Sequence, residues 1–194
     1  IAGGHNGQVN IPKGSTIIDV SGQTIMPGMI DVHSHAWYAT DFITPQRNWQ
    51  LYANLAYGVT TIHDPAPSPD SSELGDTDSV FAAAEMKRAG LIISPRIYST
   101  GYKLNASPGL GGVVINNLDD ARTHLRRLQA VGAISVKSYD QPRRDQRQQI
   151  IAAARDYKMN VNLEGANRYH SSMSGIVDGN TTLEHALPVA ALYQ

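Results

Sequence analysis

From Met29 onwards, short apolar stretches alternate with longer ones whose apolar residues recur every three or four positions, the rhythm of strands joined by crossover helices. Strands are expected at Met29 to Val32, Val59 to His63, Pro95 to Ser99, Ile134 to Ser138, Asn160 to Leu163 and Thr181 to Glu184. Between them, helices are expected over Thr44 to Tyr57, Asp76 to Ala89, Leu118 to Ala130, Pro142 to Tyr157 and Tyr169 to Val177. In the second helix Val80, Ala83, Ala84 and Lys87 share a stripe that Gly90 ends. The third takes Asn117 as its N-cap and carries Leu118, Ala121, Leu125 and Leu128 on one side as far as Gly132. Residues 1–27 read differently, as short β segments around Ile1 to Gly3, Thr16 to Val20 and Gln23 to Met26, separated by Gly-rich turns. The stretch from Gly101 to Asn116 is rich in Gly, Ser and Asn, has no periodicity and follows a strand, so it is expected to be a lid or substrate loop.

Alternating strands and helices predict an α/β fold with a parallel sheet, and the repeated βα unit points to the (β/α)8 TIM-barrel type. A closed barrel of that type has eight strands in roughly 250 residues. This chain offers six in 194 residues, so an incomplete barrel over residues 28–194 is expected, with Leu187 to Gln194 beginning a further connection. An open barrel exposes two strand edges and part of its interior, which leads us to expect a homo-oligomer.

Composition narrows the chemistry. A formal net charge of -1, with no Lys/Arg run longer than two, supplies no field for nucleic acid or an anionic membrane. Small-molecule or peptide-like substrates are the expected partners. No apolar run reaches the roughly 18 to 20 residues of a membrane span. Because the chain has no cysteine, disulfides, thiolate metal sites and cysteine nucleophiles are excluded. Any metal must be held by His, carboxylate or a modified Lys. Ile1 is not an initiator residue, so the first residue reads as an excised boundary.

The sharpest motif is Pro27-Gly28-Met29-Ile30-Asp31-Val32-His33-Ser34-His35. Residues two apart on an extended strand point to the same side, so His33 and His35 can aim two imidazoles at one cation. Imidazole suits zinc, and the C-terminal end of a barrel strand is where such folds keep their reactive groups. A bare His-x-His is more often incidental; Pro-Gly before an apolar strand that carries Asp31 reverses that weighting.

This motif resembles the first-strand signature of the amidohydrolase superfamily, and Tyr57-Gly58-Val59-Thr60-Thr61 resembles that family's second-strand entry. The resemblance implies a metal-dependent hydrolase of amide or related C–N bonds, close to imidazolonepropionase and Xaa-Pro dipeptidase, or to the branch fused to a TolB-like propeller. It implies that residues 1–27 belong to a small β-sandwich. It implies one or two divalent ions, zinc first, that activate a water. By the same resemblance Lys137, in Ser135-Val136-Lys137-Ser138-Tyr139, is the lysine that binuclear members carboxylate, and His185, in Leu183-Glu184-His185, is the sixth-strand ligand. Relatives usually place a histidine on the fifth strand, where this chain has Glu164; a carboxylate can ligate in its place or orient a ligand. The metal ligands expected are therefore His33, His35, Lys137, Glu164 and His185.

Each has a plainer reading: a strand-end lysine in solvent, or a histidine satisfied by a backbone carbonyl. Tyr98, Tyr102 and Tyr139 are expected to line the substrate pocket, with Lys103 beside them; packing explains each nearly as well. His170 is expected on a helix surface, near enough to swing towards the site, and His63-Asp64 is a tempting catalytic pair in which Asp64 is expected rather to cap or brace the loop from Pro65 to Ser72. The eighth-strand aspartate of the family has no counterpart here, which leaves no confident catalytic residue. Two other readings stand beside the hydrolase: a truncated barrel that binds metal without catalysis, and a scaffold module with no metal.

Overall fold

The computed structural model describes residues 8–39, 43–67, 77–105, 113–164 and 169–185. Among them the order is β1 (Met29–Asp31), α1 (Trp49–Ala56), β2 (Val59–Asp64), α2 (Thr77–Arg88), β3 (Arg96–Ser99), β4 (Leu104–Asn105), α3 (Leu118–Ala130), β5 (Ser135–Tyr139), α4 (Arg144–Asp156), β6 (Asn160–Glu164), α5 (Tyr169–Asp178) and β7 (Thr182–Leu183). Strands β1, β2 and β3 form one sheet and β4 to β7 a second, with every pairing parallel. This is the βα rhythm expected from the sequence, in an arrangement consistent with part of a (β/α) barrel; the described residues form two sheets and no closed barrel.

All six expected strands are present, and β4 is an addition. Its two residues pair with Ser138 and Tyr139 inside a stretch that has no apolar period to announce them. Helix α1 starts at Trp49, not at Thr44, because the Asn48 side chain accepts the backbone N–H groups of Gln50 and Leu51 and so fixes the cap there. Asn117 caps α3 as expected, accepting from the N–H of Asp120.

The opening departs from expectation. Residues 8–28 contain no strand, although Thr16 to Val20 and Gln23 to Met26 were expected to be extended and paired. The turns do form: Ser15 N–H donates to Pro12, Gln23 N–H donates to Val20, and Gly14 and Gly22 take φ of 86° and 75°. β-branched residues favour a strand only where a neighbour completes the ladder, and no described segment pairs with these. Ile17, Ile18, Ile25 and Met26 are consequently exposed. Ile1 to Gly3, residues 106–112 of the expected lid loop, and Leu187 to Gln194 lie outside the described residues.

Each sheet covers its own apolar cluster. Ile62 and Ile97 of the first sheet pack on Leu51 of α1 and on Val80 and Ala83 of α2. Val136 and Val161 of the second pack on Leu125 of α3 and Ile150 of α4. The helices lie on one face. Register then decides what the opposite face carries: Lys137 pairs with Asn162, Asn162 with Thr182, and Tyr139 with Glu164. Cross-strand partners share a face, so these residues all lie on the side away from the helices while Val136, Val161 and Leu163 face the helices. Among the described residues no helix is long and apolar enough to cross a membrane.

Candidate metal centre

Three side chains converge where the strands end. One ligating atom each from His33, Glu164 and His185 lies within 4.8 Å of the others. His33 follows β1, Glu164 closes β6 and His185 follows β7, so residues more than 150 positions apart in the chain meet at one point. The backbone of His185 is left-handed, with φ of 64°. For a residue with a Cβ this costs about 1–3 kcal/mol, a strain that concentrates at functional sites.

The second nitrogen of the first-strand histidines shows what the site is arranged to do. His33 Nδ1 is 2.6 Å from Glu184 Oε2, and Glu184 is nearly buried. Burial works against the charge of Glu184, but hydrogen bonds from Asn162, Thr182 and His33 outweigh it and hold the carboxyl below its ordinary range. A charged acceptor makes Nδ1 the protonated nitrogen and leaves the Nε2 lone pair directed at the cluster, 3.6 Å from Glu164 Oε2. His35 repeats the arrangement: its Nδ1 is 2.8 Å from Oδ1 of Asp64, which is fully buried. The His35 ring stands 5.0 Å from that of His33 and at 86° to it, beside the trio and not within it.

Lys137 is 4% exposed, with Nζ 2.5 Å from Glu164 Oε2. That buried oxygen therefore has the Lys137 ammonium as its partner. His33, with its tautomer oriented, His185 and the Glu164 carboxylate form a donor set suited to a divalent cation such as zinc.

The other expected residues divide. Tyr139 belongs to the site, its ring 5.1 Å from Lys137 Nζ and 4.8 Å from Lys103 Nζ. Burial, reinforced by repulsion from Lys137, pushes the Lys103 ammonium below the usual lysine range. Tyr98 and Tyr102 line other cavities. Tyr98 borders one of about 390 Å³ with Lys87, Arg88 and Arg96, while Tyr102 borders one of about 210 Å³ with Leu104, His124 and Leu128. His170 is exposed on α5 with its ring against Tyr169. His63 spans from the first sheet to the second, with Nε2 2.7 Å from Ser135 Oγ, and burial lowers its pKa.

Two residues that contact the first-strand histidines were not read as their partners in the sequence: Asp64 was taken chiefly as a loop brace, with a lesser reading as a catalytic pair with His63, and Glu184 as the acidic neighbour of His185. Their signal was an acidic residue at the end of a strand beside a ligand histidine, which spacing alone does not separate from a surface acid.

No family model matches the chain. It is 40% identical over 63 residues to adenine deaminase 2 of Shouchella clausii (strain KSM-K16), a stretch covering 32% of this chain and 10% of that protein. A Xaa-Pro dipeptidase structure with methionine bound in its active site aligns over 82% of this chain and 48% of its own, with TM-score 0.60 and 17% identity. The A. niger ochratoxinase aligns over 83% of this chain and 47% of its own, with TM-score 0.59 and 17% identity. The chain thus spans about half the length of these structures and a tenth of the deaminase. What such likenesses establish is architecture: the chain shares the fold of these two structures over about four fifths of its length.

Proposed function

We propose that this chain is part of a metal-dependent amidohydrolase, with His33, Glu164 and His185 holding a divalent cation, zinc first, and His35 and Lys137 flanking it. The observation that carries this reading is the convergence of those three donor atoms within 4.8 Å, with the far nitrogen of His33 held by a buried carboxylate. Surface histidines seldom acquire such a partner; metal-ligating ones almost always do. When bound, the ion supplies Lewis-acid polarisation of the scissile carbonyl and a water acidic enough to act as nucleophile near neutral pH.

The chain's own residues do the rest. Glu184 and Asp64 fix the tautomers of His33 and His35 and keep each ring from turning. Lys137 balances the charge of Glu164 and holds that carboxylate towards the histidines. The same lysine is the candidate for carboxylation, which would replace this ion pair with an anionic group able to help hold the cation. Tyr139 walls the site on the Lys137 side. The substrate class is an amide or related C–N compound, small or peptide-like.

Metal analysis of the purified chain, with and without added zinc and bicarbonate, tests this. One ion or more per chain is expected, lost in His33→Ala and in Glu164→Gln. No uptake, or uptake unchanged by both substitutions, contradicts the reading.

A further inference from the structure

Arg147, on α4, is only 3% exposed, a rare place for a guanidinium. Among the described residues no carboxylate meets it directly: Asp145 and Asp178 pair with Arg143 and Arg144 and act on Arg147 only through space. Its hydrogen-bond partners are all neutral. Nη1 donates to the carbonyls of Gln141 and Pro142 at 2.6 and 3.1 Å, and Nη2 donates to Ser174 Oγ of α5 at 2.9 Å. Burying a cation among such partners is costly, and an apolar side chain would fill the space without that cost. What the guanidinium adds is a rigid fork of donors, which no apolar residue supplies.

The fork clasps the turn between β5 and α4, and that turn bonds to the backbone of Glu164. Asp140, immediately before Gln141, has φ of 48°, a left-handed conformation that a residue with a Cβ keeps only where its surroundings hold it. From there its N–H donates to the Glu164 carbonyl at 2.9 Å, one step beyond the Tyr139–Glu164 pair that ends the β5–β6 register. The Gln141 side-chain amide, 1% exposed, forms no hydrogen bond among the described residues and so does not hold the turn. Arg147 does, and Ser174, whose hydroxyl donates to the Ser171 carbonyl at 2.9 Å, anchors it to α5.

Resting on the metal reading above, we propose that Arg147 is a positioning residue for the metal centre. By clasping the β5–α4 turn to α5 it fixes Asp140 against Glu164, and so sets where the Glu164 carboxylate stands relative to His33 and His185.

The test compares the full chain with Arg147→Met, and with Arg144→Met as a control that loosens α5 from α4 without removing a bond to the turn. Three quantities are read: zinc affinity by competition titration, the visible absorption of the cobalt-loaded chain, and amide exchange at Asp140. Arg147→Met is expected to bind zinc about tenfold or more weakly, with an altered cobalt spectrum and faster exchange at Asp140. Arg144→Met should keep wild-type values in all three, since a purely structural tie lowers stability without moving them. Equal zinc affinity and spectrum in Arg147→Met, or an equal loss in Arg144→Met, overturns the positioning role and leaves the metal reading standing. A wild type that takes up neither metal contradicts the metal reading, and exchange at Asp140 then decides the clasp: faster in Arg147→Met alone supports it, and no difference overturns it. Should Arg147→Met not fold, Ser174→Ala removes only the α5 anchor; smaller changes in the same direction support the proposal, and none overturns it.

Discussion

His35 Nδ1 meets Oδ1 of Asp64 at 2.8 Å, and the carboxylate is fully buried at the end of β2. The Tyr38 hydroxyl, buried close by, is driven above its ordinary pKa by burial first, then by the charge of Asp64 and a hydrogen bond to it. A buried acid kept at such cost points to a role, and orienting His35 is the one the geometry supplies. Asp64→Asn keeps the size and removes the charge. It is expected to weaken zinc binding by about 10–100-fold, as loss of an orienting partner does. Competition titration against a zinc-sensitive dye measures this, and unchanged affinity contradicts the role.

The glycine in the Pro27-Gly28 pair has a steric reason. A Cβ on Gly28 would fall 2.2 Å from Oγ1, 2.3 Å from Cγ2 and 2.7 Å from Cβ of Thr60. Rotating Thr60 only exchanges one γ atom for another, so β1 would have to move away from β2. Gly28→Ala is expected to destabilise the fold by about 1–3 kcal/mol and to weaken zinc binding as His33 shifts. Urea unfolding and zinc titration of the same variant check both effects; a neutral result in each rejects the close approach.

Asp178 ties α5 to α4. Arg144 donates to both its oxygens, at 2.8 and 2.7 Å, and Gln148 donates at 3.0 Å. Led by the Arg144 hydrogen bond, these hold the carboxyl down at about 2. A folded-state pKa below the unfolded value of about 3.9 gives stability that is present above pH ~4 and lost as pH falls towards ~2. Arg144 is 54% exposed, so solvent screening reduces the contribution to about 1 kcal/mol. Asp178→Asn should therefore cost about 1 kcal/mol at neutral pH and progressively less as pH falls through ~2. A pH-independent difference in urea midpoint would count against this.

The edge strand β1 leaves Ile30 64% and Val32 66% exposed. Unpaired strand edges and apolar surface favour association. Self-association is accordingly expected in light scattering of the chain at micromolar concentration; a single monomer peak across a concentration series would refute it.

Much of the fold was legible because alternation survives in the strands. Ser135-Val136-Lys137-Ser138-Tyr139 and Asn160-Val161-Asn162-Leu163-Glu164 place apolar residues against the helices and polar ones inside, and both strands appear where expected. The opening misled because Thr16 to Val20 carries β propensity, while a strand also needs a partner that propensity does not encode. At the site, His33 was legible from the His-x-His spacing at a strand end, whereas Glu164 and His185 were indicated only by the family resemblance. Tyr98 and Tyr102 also lie at or beyond strand ends, but whether such a side chain reaches the site depends on register and twist. Tyr98 pairs with His63 and borders a different cavity from the one its position suggested.

The most direct measurement is the anomalous scattering of crystals of the zinc-loaded chain at the zinc edge. The account requires a peak bonded to the imidazoles of His33 and His185 and to the Glu164 carboxylate. A peak on surface side chains elsewhere, or none beside His33 at saturating zinc, contradicts it.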